Sequence, residues 1–115
     1  MILERGEKLL ISHRRLFAED QPRFFVGVVE ACEDGVARVT GHSWVREQLR
    51  GDVLRKKVRR TKLVALASGS LITYVLPEGL DIEALRIEHG KDRDHVLTDG
   101  KAFRMDISER RQSGI

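Results

Sequence analysis

The sequence predicts an all-β protein: a small barrel or a strongly curled antiparallel sheet of about five strands, followed by a C-terminal β-hairpin. Two observations indicate this fold class. Asp34-Gly35 and Asp99-Gly100 each separate runs that contain apolar strand-forming residues, and Asp-Gly suits a tight hairpin turn because both residues tolerate positive φ. Further turn-forming residues recur at the spacing of roughly 8–15 residues that is typical of short β-strands.

The strongest strand signal lies in residues 24–45, whose two arms are rich in Val, Phe and Trp. A two-residue turn at Asp34-Gly35 would place Phe25 directly opposite Trp44. Side chains of a strand alternate between faces, so this register predicts an aromatic patch, Phe25 and Trp44, on one face. Either the C-terminal hairpin or a second subunit would cover that patch. The other face is the predicted core face and consists of Phe24, Val26, Val28, Cys32, Ala37, Val39 and Val45.

Shorter patterns predict the other strands of the main sheet. A first strand is expected over residues 8–15, where apolar residues partly alternate. Residues 61–76 are predicted to form a second hairpin that turns at Ser68-Gly69. Because both faces of this hairpin are apolar, its strands are expected to be the most buried ones.

The remainder of the chain predicts a smaller C-terminal unit. Asp81 is expected to cap a single helical turn, or to begin a bend that leads into a strand at residues 85–88. A hairpin with its turn at Asp99-Gly100 is expected to follow. We therefore interpret the chain as a single domain over residues 1–115, with a barrel core in residues 8–77, a hairpin extension in residues 78–108 and a frayed tail in residues 109–115.

The number and spacing of the strands in residues 8–77 resemble those of the SH3-like and Sm-like small β-barrels. The resemblance implies a barrel fold, but the Asp/Asn-bearing loop with which Sm proteins hold a uridine has no clear counterpart here. The phrases EKLLISHRRLF, RFFVGVVEA and RRTKLVALASGSLITYVLP are also similar to those of small bacterial proteins of unknown function. That second resemblance implies no activity.

Length and composition limit the class of protein. A chain of 115 residues with 41% apolar residues can fill one core. It contains no apolar run of the roughly 18 residues that a membrane-spanning helix needs, and Glu4 and Glu7 interrupt any signal peptide. We therefore expect a cytoplasmic protein that does not bind membranes. Its single cysteine, Cys32, excludes an internal disulfide and is expected to be an inert core residue.

The positive charge is concentrated in one segment. Residues 46–62 hold eight Lys or Arg and two acidic residues, whereas the rest of the chain holds 13 basic and 16 acidic residues. Such a density of cations attracts polyanions and releases counterions when they bind. Trp44 and Tyr74 are expected to supply stacking faces nearby. The candidate polyanion-binding residues are Arg46, Arg50, Arg55, Lys56, Lys57, Arg59, Arg60 and Lys62.

The local structure of this basic segment leaves alternatives open. It could be a long connection or a short basic helix, and we favour a mobile loop that becomes a strand near Arg60. Its cations could equally serve only to keep the loop solvated and to protect a sheet edge from aggregation. An acidic protein is the other partner that such a segment would attract.

No group of residues indicates a reaction. The histidines His13, His42, His89 and His95 lack the spacing of metal ligands, although His13 and His42 could meet across neighbouring strands. No nucleophile elbow or phosphate-binding loop is present. The sequence thus predicts a non-enzymatic binding or assembly module that uses no metal or cofactor and that could form a homo-oligomer. The alternative is a protein that binds RNA or single-stranded DNA through residues 46–62.

Overall fold

A computed structural model describes residues 3–14, 21–47, 51–89 and 95–108. Over these residues the chain is all-β, as predicted, with one short 3-10 turn at Ile82–Ala84. The strands are β1 (Lys8–His13), β2 (Arg23–Glu33), β3 (Val36–Arg46), β4 (Val53–Ala65), β5 (Leu71–Val75), β6 (Arg86–His89), β7 (His95–Thr98) and β8 (Arg104–Asp106).

The strands form two antiparallel sheets. The five-stranded sheet has the order β4-β3-β2-β1-β5, and the three-stranded sheet has the order β6-β7-β8. The predicted sheet of about five strands and the C-terminal hairpin are therefore confirmed, and β6 adds a strand to that hairpin. The main sheet does not close into a barrel, because β4 and β5 lie at its opposite edges and do not pair with each other in the described part of the chain.

The hairpin predicted over residues 61–76 is wrong. Instead of pairing with each other, β4 pairs with β3 and β5 pairs with β1. The amide of Leu66 donates to the carbonyl of Gly35 at 2.9 Å, so the end of β4 is held at the first hairpin turn. These strands are also not the most buried ones, since the Leu63 side chain of β4 is 71% exposed. The most buried positions lie on the central strands β1 and β2.

The first hairpin turn forms where the sequence predicts it. Asp34 and Gly35 have φ values of 49° and 78°, and the flanking residues Glu33 and Val36 pair directly. The predicted register holds as far as Ala31, but a β-bulge then inserts Glu30 as one extra residue in β2. Such an insertion shifts every later pair by one position.

The bulge makes the predicted pairing of the aromatic residues wrong. Phe24, not Phe25, pairs with Trp44, and Phe25 pairs with Ser43. Since a shift of one residue exchanges the faces of a strand, the predicted core face is wrong as well: it combined residues that lie on opposite sides of the sheet. We call the side with Phe24 and Trp44 the upper face and the side with Phe25 and Val39 the lower face.

Each face of the main sheet carries its own hydrophobic cluster. The three-stranded sheet packs against the upper face, where the cluster contains Leu10, Phe24, Val26, Trp44, Val53, Leu76, Leu80, Leu85, Ile87, Leu97 and Ile107. The lower cluster contains Leu3, Leu9, Ile11, Phe25, Val29, Ala37, Val39 and Val64. Cys32 packs against this lower cluster and is half-buried. The central strands are thus covered on both sides.

Polar contacts fix the chain between the two sheets. The ammonium group of Lys8 donates to the carbonyls of Glu78 and Leu80, at 2.7 and 2.5 Å. Asp81 caps the 3-10 turn as predicted, because its carboxylate accepts a hydrogen bond from the amide of Glu83 at 3.0 Å. Both alternatives for this segment are realised, since the turn leads directly into β6. The predicted frayed tail, residues 109–115, lies outside the described residues.

Two glycines allow the closest backbone approach in the sheet. Gly27 and Gly41 pair directly at the centre of the main sheet. A Cβ atom on Gly41 would lie 1.9 Å from the carbonyl oxygen of Val26 and 2.5 Å from the Cα of Gly27. Only glycine fits at this position, which is a typical use of glycine inside a strand.

The turn geometry gives a first prediction. Gly35→Val should reduce the free energy of unfolding by about 1–2 kcal/mol more than Glu33→Val, because a β-branched residue resists positive φ. Urea unfolding of both variants measures the difference. Equal stabilities would contradict a turn with positive φ at this position.

The close approach of the two glycines gives a second prediction. Gly41→Ala should reduce the free energy of unfolding by about 3 kcal/mol or more, because the backbone itself must move to admit the methyl group. Gly69→Ala is the matched control, since no atom lies within 4 Å of the added Cβ, and it should change stability by less than about 0.5 kcal/mol. Similar urea midpoints for the two variants would show that the pair is not tightly packed.

Candidate polyanion-binding surface

The basic segment forms the edge strand β4 of the main sheet. Our preference for a mobile loop up to Arg60 is wrong, because the strand begins at Val53 and extends over 13 residues. Cross-strand pairing with β3 accounts for the difference: Val53 and Val64, near the two ends of β4, are buried in the upper and lower clusters. These two apolar residues hold β4 in the sheet. The segment therefore forms a strand although apolar and polar residues do not alternate between them.

Most cations of β4 are exposed to solvent. Every residue from Leu54 to Thr61 is exposed, and Lys62 is half-buried. Arg59 pairs with His42 of the upper face, whereas Arg60 and Lys62 pair with the lower-face residues Gly41 and Val39. The register is irregular between these pairs and the pair of Arg55 with Trp44. Two extra residues of β4 are accommodated there, so Lys56 and Lys57 belong to a bulge at the sheet edge.

Most of these cations have no acidic partner among the residues that the structure describes. Arg55 is the exception, because its guanidinium lies 3.0 Å from the carboxylate of Glu83. By contrast, the cations of the three-stranded sheet are neutralised: Glu88 contacts Arg86 at 2.7 Å and Arg104 at 3.4 Å. The hydrogen bond from Arg86 is also the main reason why the pKa of the Glu88 carboxyl is lowered. Among the described residues, β4 thus carries several exposed cations without a carboxylate partner, whereas Arg86 of β6 and Arg104 of β8 share one.

Of the other two candidate cations, only Arg46 lies within the described residues. Arg46 is exposed at the end of β3, beside the loop that precedes β4, and its guanidinium lies close to Gly51. Arg50 lies outside the described residues. The structure therefore brings together Arg55, Lys56, Lys57, Arg59, Arg60 and Lys62 on one strand.

The predicted aromatic patch does not exist as a common surface. Phe25 is 1% exposed and belongs to the lower cluster, while Trp44 is 4% exposed and belongs to the upper cluster. The cover that we expected from the C-terminal hairpin is present for Trp44, because Phe103, Met105 and Ile107 all join the upper cluster. Trp44 is therefore not accessible to a base, and its predicted stacking role is wrong.

A cationic group that the sequence analysis missed lies on the lower face beside β4. His13 ends β1 and Arg23 begins β2, and the adjacent pair of these strands is Ser12 with Phe24. The ammonium group of Lys62 lies 4.7 Å from the centroid of the Phe25 ring, at a distance that allows a cation–π interaction. Arg23 and His13 are far apart in sequence from β4, so only the strand order brings them near its cations.

The electrostatics of this group follow from its burial and its like charges. Burial lowers the pKa of the His13 imidazole, and the charges of Arg23 and Lys62 lower it further. Burial likewise lowers the pKa of Lys62, with further contributions from Arg23 and Arg60. Each cation therefore makes the next one harder to charge.

The histidines do not form a metal site within the described residues. The proposed meeting of His13 and His42 is wrong, because β2 lies between their strands. His42 instead contacts the carbonyl of Lys56 through Nδ1 at 3.0 Å, and His89 contacts the carbonyl of Gly51 through Nε2 at 2.9 Å. The rings of His89 and His95 are neighbours at 5.2 Å.

Comparisons with protein-family models, with curated proteins and with solved structures gave no match to this chain. The resemblance to SH3-like and Sm-like barrels therefore rests on strand number and spacing alone, and the structure supports a small antiparallel all-β fold. In the part of the chain that the structure describes, no helix is long and apolar enough to span a membrane.

The cationic group gives a third prediction, on the pH dependence of stability. The pKa of His13 in the folded protein lies below its usual value of 6.5, so the unfolded chain binds the proton more readily. The contribution of His13 to stability is complete above the unfolded pKa and is lost as the pH falls toward the folded pKa.

Between about pH 8 and about pH 5, the free energy of unfolding of the wild type should therefore decrease more than that of His13→Gln. Urea unfolding at several pH values tests this. An identical pH dependence of the two proteins would show that His13 is not perturbed.

Proposed function

We propose that this protein is a non-enzymatic binding module that binds RNA or single-stranded DNA through the cations of β4. The observation that carries the proposal is an exposed, extended strand whose cations, apart from Arg55, have no carboxylate partner among the described residues. Neutralising the phosphates of a nucleic acid releases counterions, and this release supplies most of the affinity of sequence-independent binding. A cytoplasmic location, where such ligands are available, is part of the same proposal.

The proposed binding is electrostatic rather than base-specific. Proteins that bind single strands usually combine a positive surface with exposed aromatic rings, but Trp44 and Phe25 are both buried. An extended cationic strand can follow a flexible backbone and contact successive phosphates without reading the bases. We therefore expect similar affinities for oligonucleotides of different sequence and a strong dependence on salt.

One observation favours a second candidate, assembly through strand pairing with an acidic protein segment. The edge strand β4 exposes three apolar side chains, Leu54, Val58 and Leu63, to 50%, 58% and 71%. An added strand could pair with such an edge and cover these residues while its carboxylates meet the cations. Backbone hydrogen bonds would supply part of that affinity, so this kind of binding should depend less on salt.

The fourth prediction tests nucleic-acid binding by fluorescence anisotropy of a labelled oligonucleotide across a salt series. Each phosphate that the protein neutralises on a single strand contributes about −0.7 to the slope of log affinity against log salt. Lys56→Gln combined with Lys57→Gln should therefore weaken binding and flatten the slope by roughly 1.4. Both side chains are exposed, so stability should change little.

The matched control is the pair Arg5→Gln and Lys101→Gln, which removes the same net charge from exposed positions outside β4. This control should retain the slope of the wild type. No binding at low salt, or equal slopes for the two double variants, would overturn the proposal. A labelled acidic peptide that binds with little salt dependence would favour the second candidate instead.

A further inference from the structure

The lower face brings together basic side chains from three different strands, one of which contacts an aromatic ring. His13 comes from β1, Arg23 from β2 and Lys62 from β4. Arg23 and Phe25 are two residues apart on β2 and so share a face, and the ammonium of Lys62 lies 4.7 Å from the Phe25 ring centroid. One member of the group, Lys62, therefore lies over a buried aromatic ring.

The two central glycines lie in the row between Lys62 and this ring. Lys62 pairs with Val39 and Phe25 pairs with Ser43, and the row between these pairs is occupied by Gly27 and Gly41. Neither glycine adds a side chain to this row. The Cγ1 of Val39, a β3 side chain, would lie 2.9 Å from a Cβ on Gly27.

The charges around His13 are all of one sign among the described residues of the neighbouring strands. Arg23 faces it from β2 and Lys62 from β4, while its partner on β5 is the apolar Leu71. No carboxylate of the described residues forms an ion pair with any of these three basic side chains. Like charges that folding holds together in a partly desolvated place are relieved by a bound anion, since each cation then gains an opposite charge.

We propose that His13, Arg23 and Lys62 form a site for a phosphate group, occupied by a backbone phosphate of the nucleic acid that lies along β4. This inference rests on the proposed function and adds the path of the bound nucleic-acid strand. That path runs from Arg60 and Lys62 over the lower face of the sheet toward β1. Arg23 can donate two parallel hydrogen bonds to phosphate oxygens, and Lys62 supplies a point charge. His13 donates a further hydrogen bond when it is protonated.

This site makes binding depend on pH in a way that the cations of β4 alone do not. Lysine and arginine side chains stay charged between about pH 5 and about pH 8, and histidine is the residue that titrates in this range. A phosphodiester also keeps its single negative charge there. A bound phosphate favours protonated His13, so the affinity for an oligonucleotide should rise as the pH is lowered.

The experiment measures oligonucleotide affinity by anisotropy at fixed low salt over this pH range, for wild type, His13→Gln and His89→Gln. The wild type should gain roughly tenfold in affinity if the phosphate raises the pKa of His13 by about one unit. This gain should be largely absent in His13→Gln. The control His89→Gln alters a histidine of the three-stranded sheet, whose ring contacts the carbonyl of Gly51, and it should keep the profile of the wild type.

A second measurement requires no variant. In NMR titrations of the wild type, the pKa of His13 should rise when the oligonucleotide is added. Binding without any change in the pKa of His13, or with the same pH profile in His13→Gln, would overturn this inference and leave the proposed function intact. No binding at low salt would overturn both.

A titration with inorganic phosphate distinguishes the source of the anion. Inorganic phosphate should raise the pKa of His13 only at concentrations far above those of oligonucleotide phosphate, because the nucleic acid is also held by β4. An equal effect at equal phosphate concentration would assign the site to a free phosphate and would overturn its assignment to the nucleic-acid backbone.

Discussion

The arrangement of the main sheet depends on the direct pairing of Gly27 with Gly41. Their backbones approach so closely that a Cβ on Gly41 would lie 1.9 Å from a carbonyl oxygen of β2. This contact holds β2 and β3 together at the centre of the sheet, between the turn at Asp34-Gly35 and the aromatic pair Phe24 and Trp44. It also leaves a row without side chains on the lower face.

The position of β4 at the sheet edge accounts for its composition. An edge strand has one neighbour, so most of its side chains remain in water, and exposed lysine and arginine protect such an edge from pairing with other chains. This protective role and the proposed binding role use the same residues and are compatible. Protection of the sheet edge does not require the group of His13, Arg23 and Lys62. This group brings basic side chains from three strands together on a partly buried face.

Local patterns were reliable where the structure is decided within a few residues. The turn at Asp34-Gly35 and the cap at Asp81 form as predicted, because each depends on the conformation or hydrogen bonding of adjacent residues. The predicted register of the first hairpin is wrong beyond Ala31, because nothing in the alternating sequence indicates that Glu30 is an extra, bulged residue. The same alternation that predicted a strand therefore assigned Phe25 and Trp44 to one face, when they lie on opposite faces.

The sequence by itself determined that the chain is all-β, where the first hairpin turns, and that the positive charge lies in residues 46–62. These properties depend on residue type and on short-range spacing. Only the tertiary structure decided that this basic segment is an edge strand, since pairing with β3 and the burial of Val53 and Val64 outweigh its lack of an apolar period. Only the strand order β4-β3-β2-β1-β5 brings His13 and Arg23 near Lys62. Residues so distant in sequence meet through long-range backbone pairing, and local sequence patterns do not predict which strands pair.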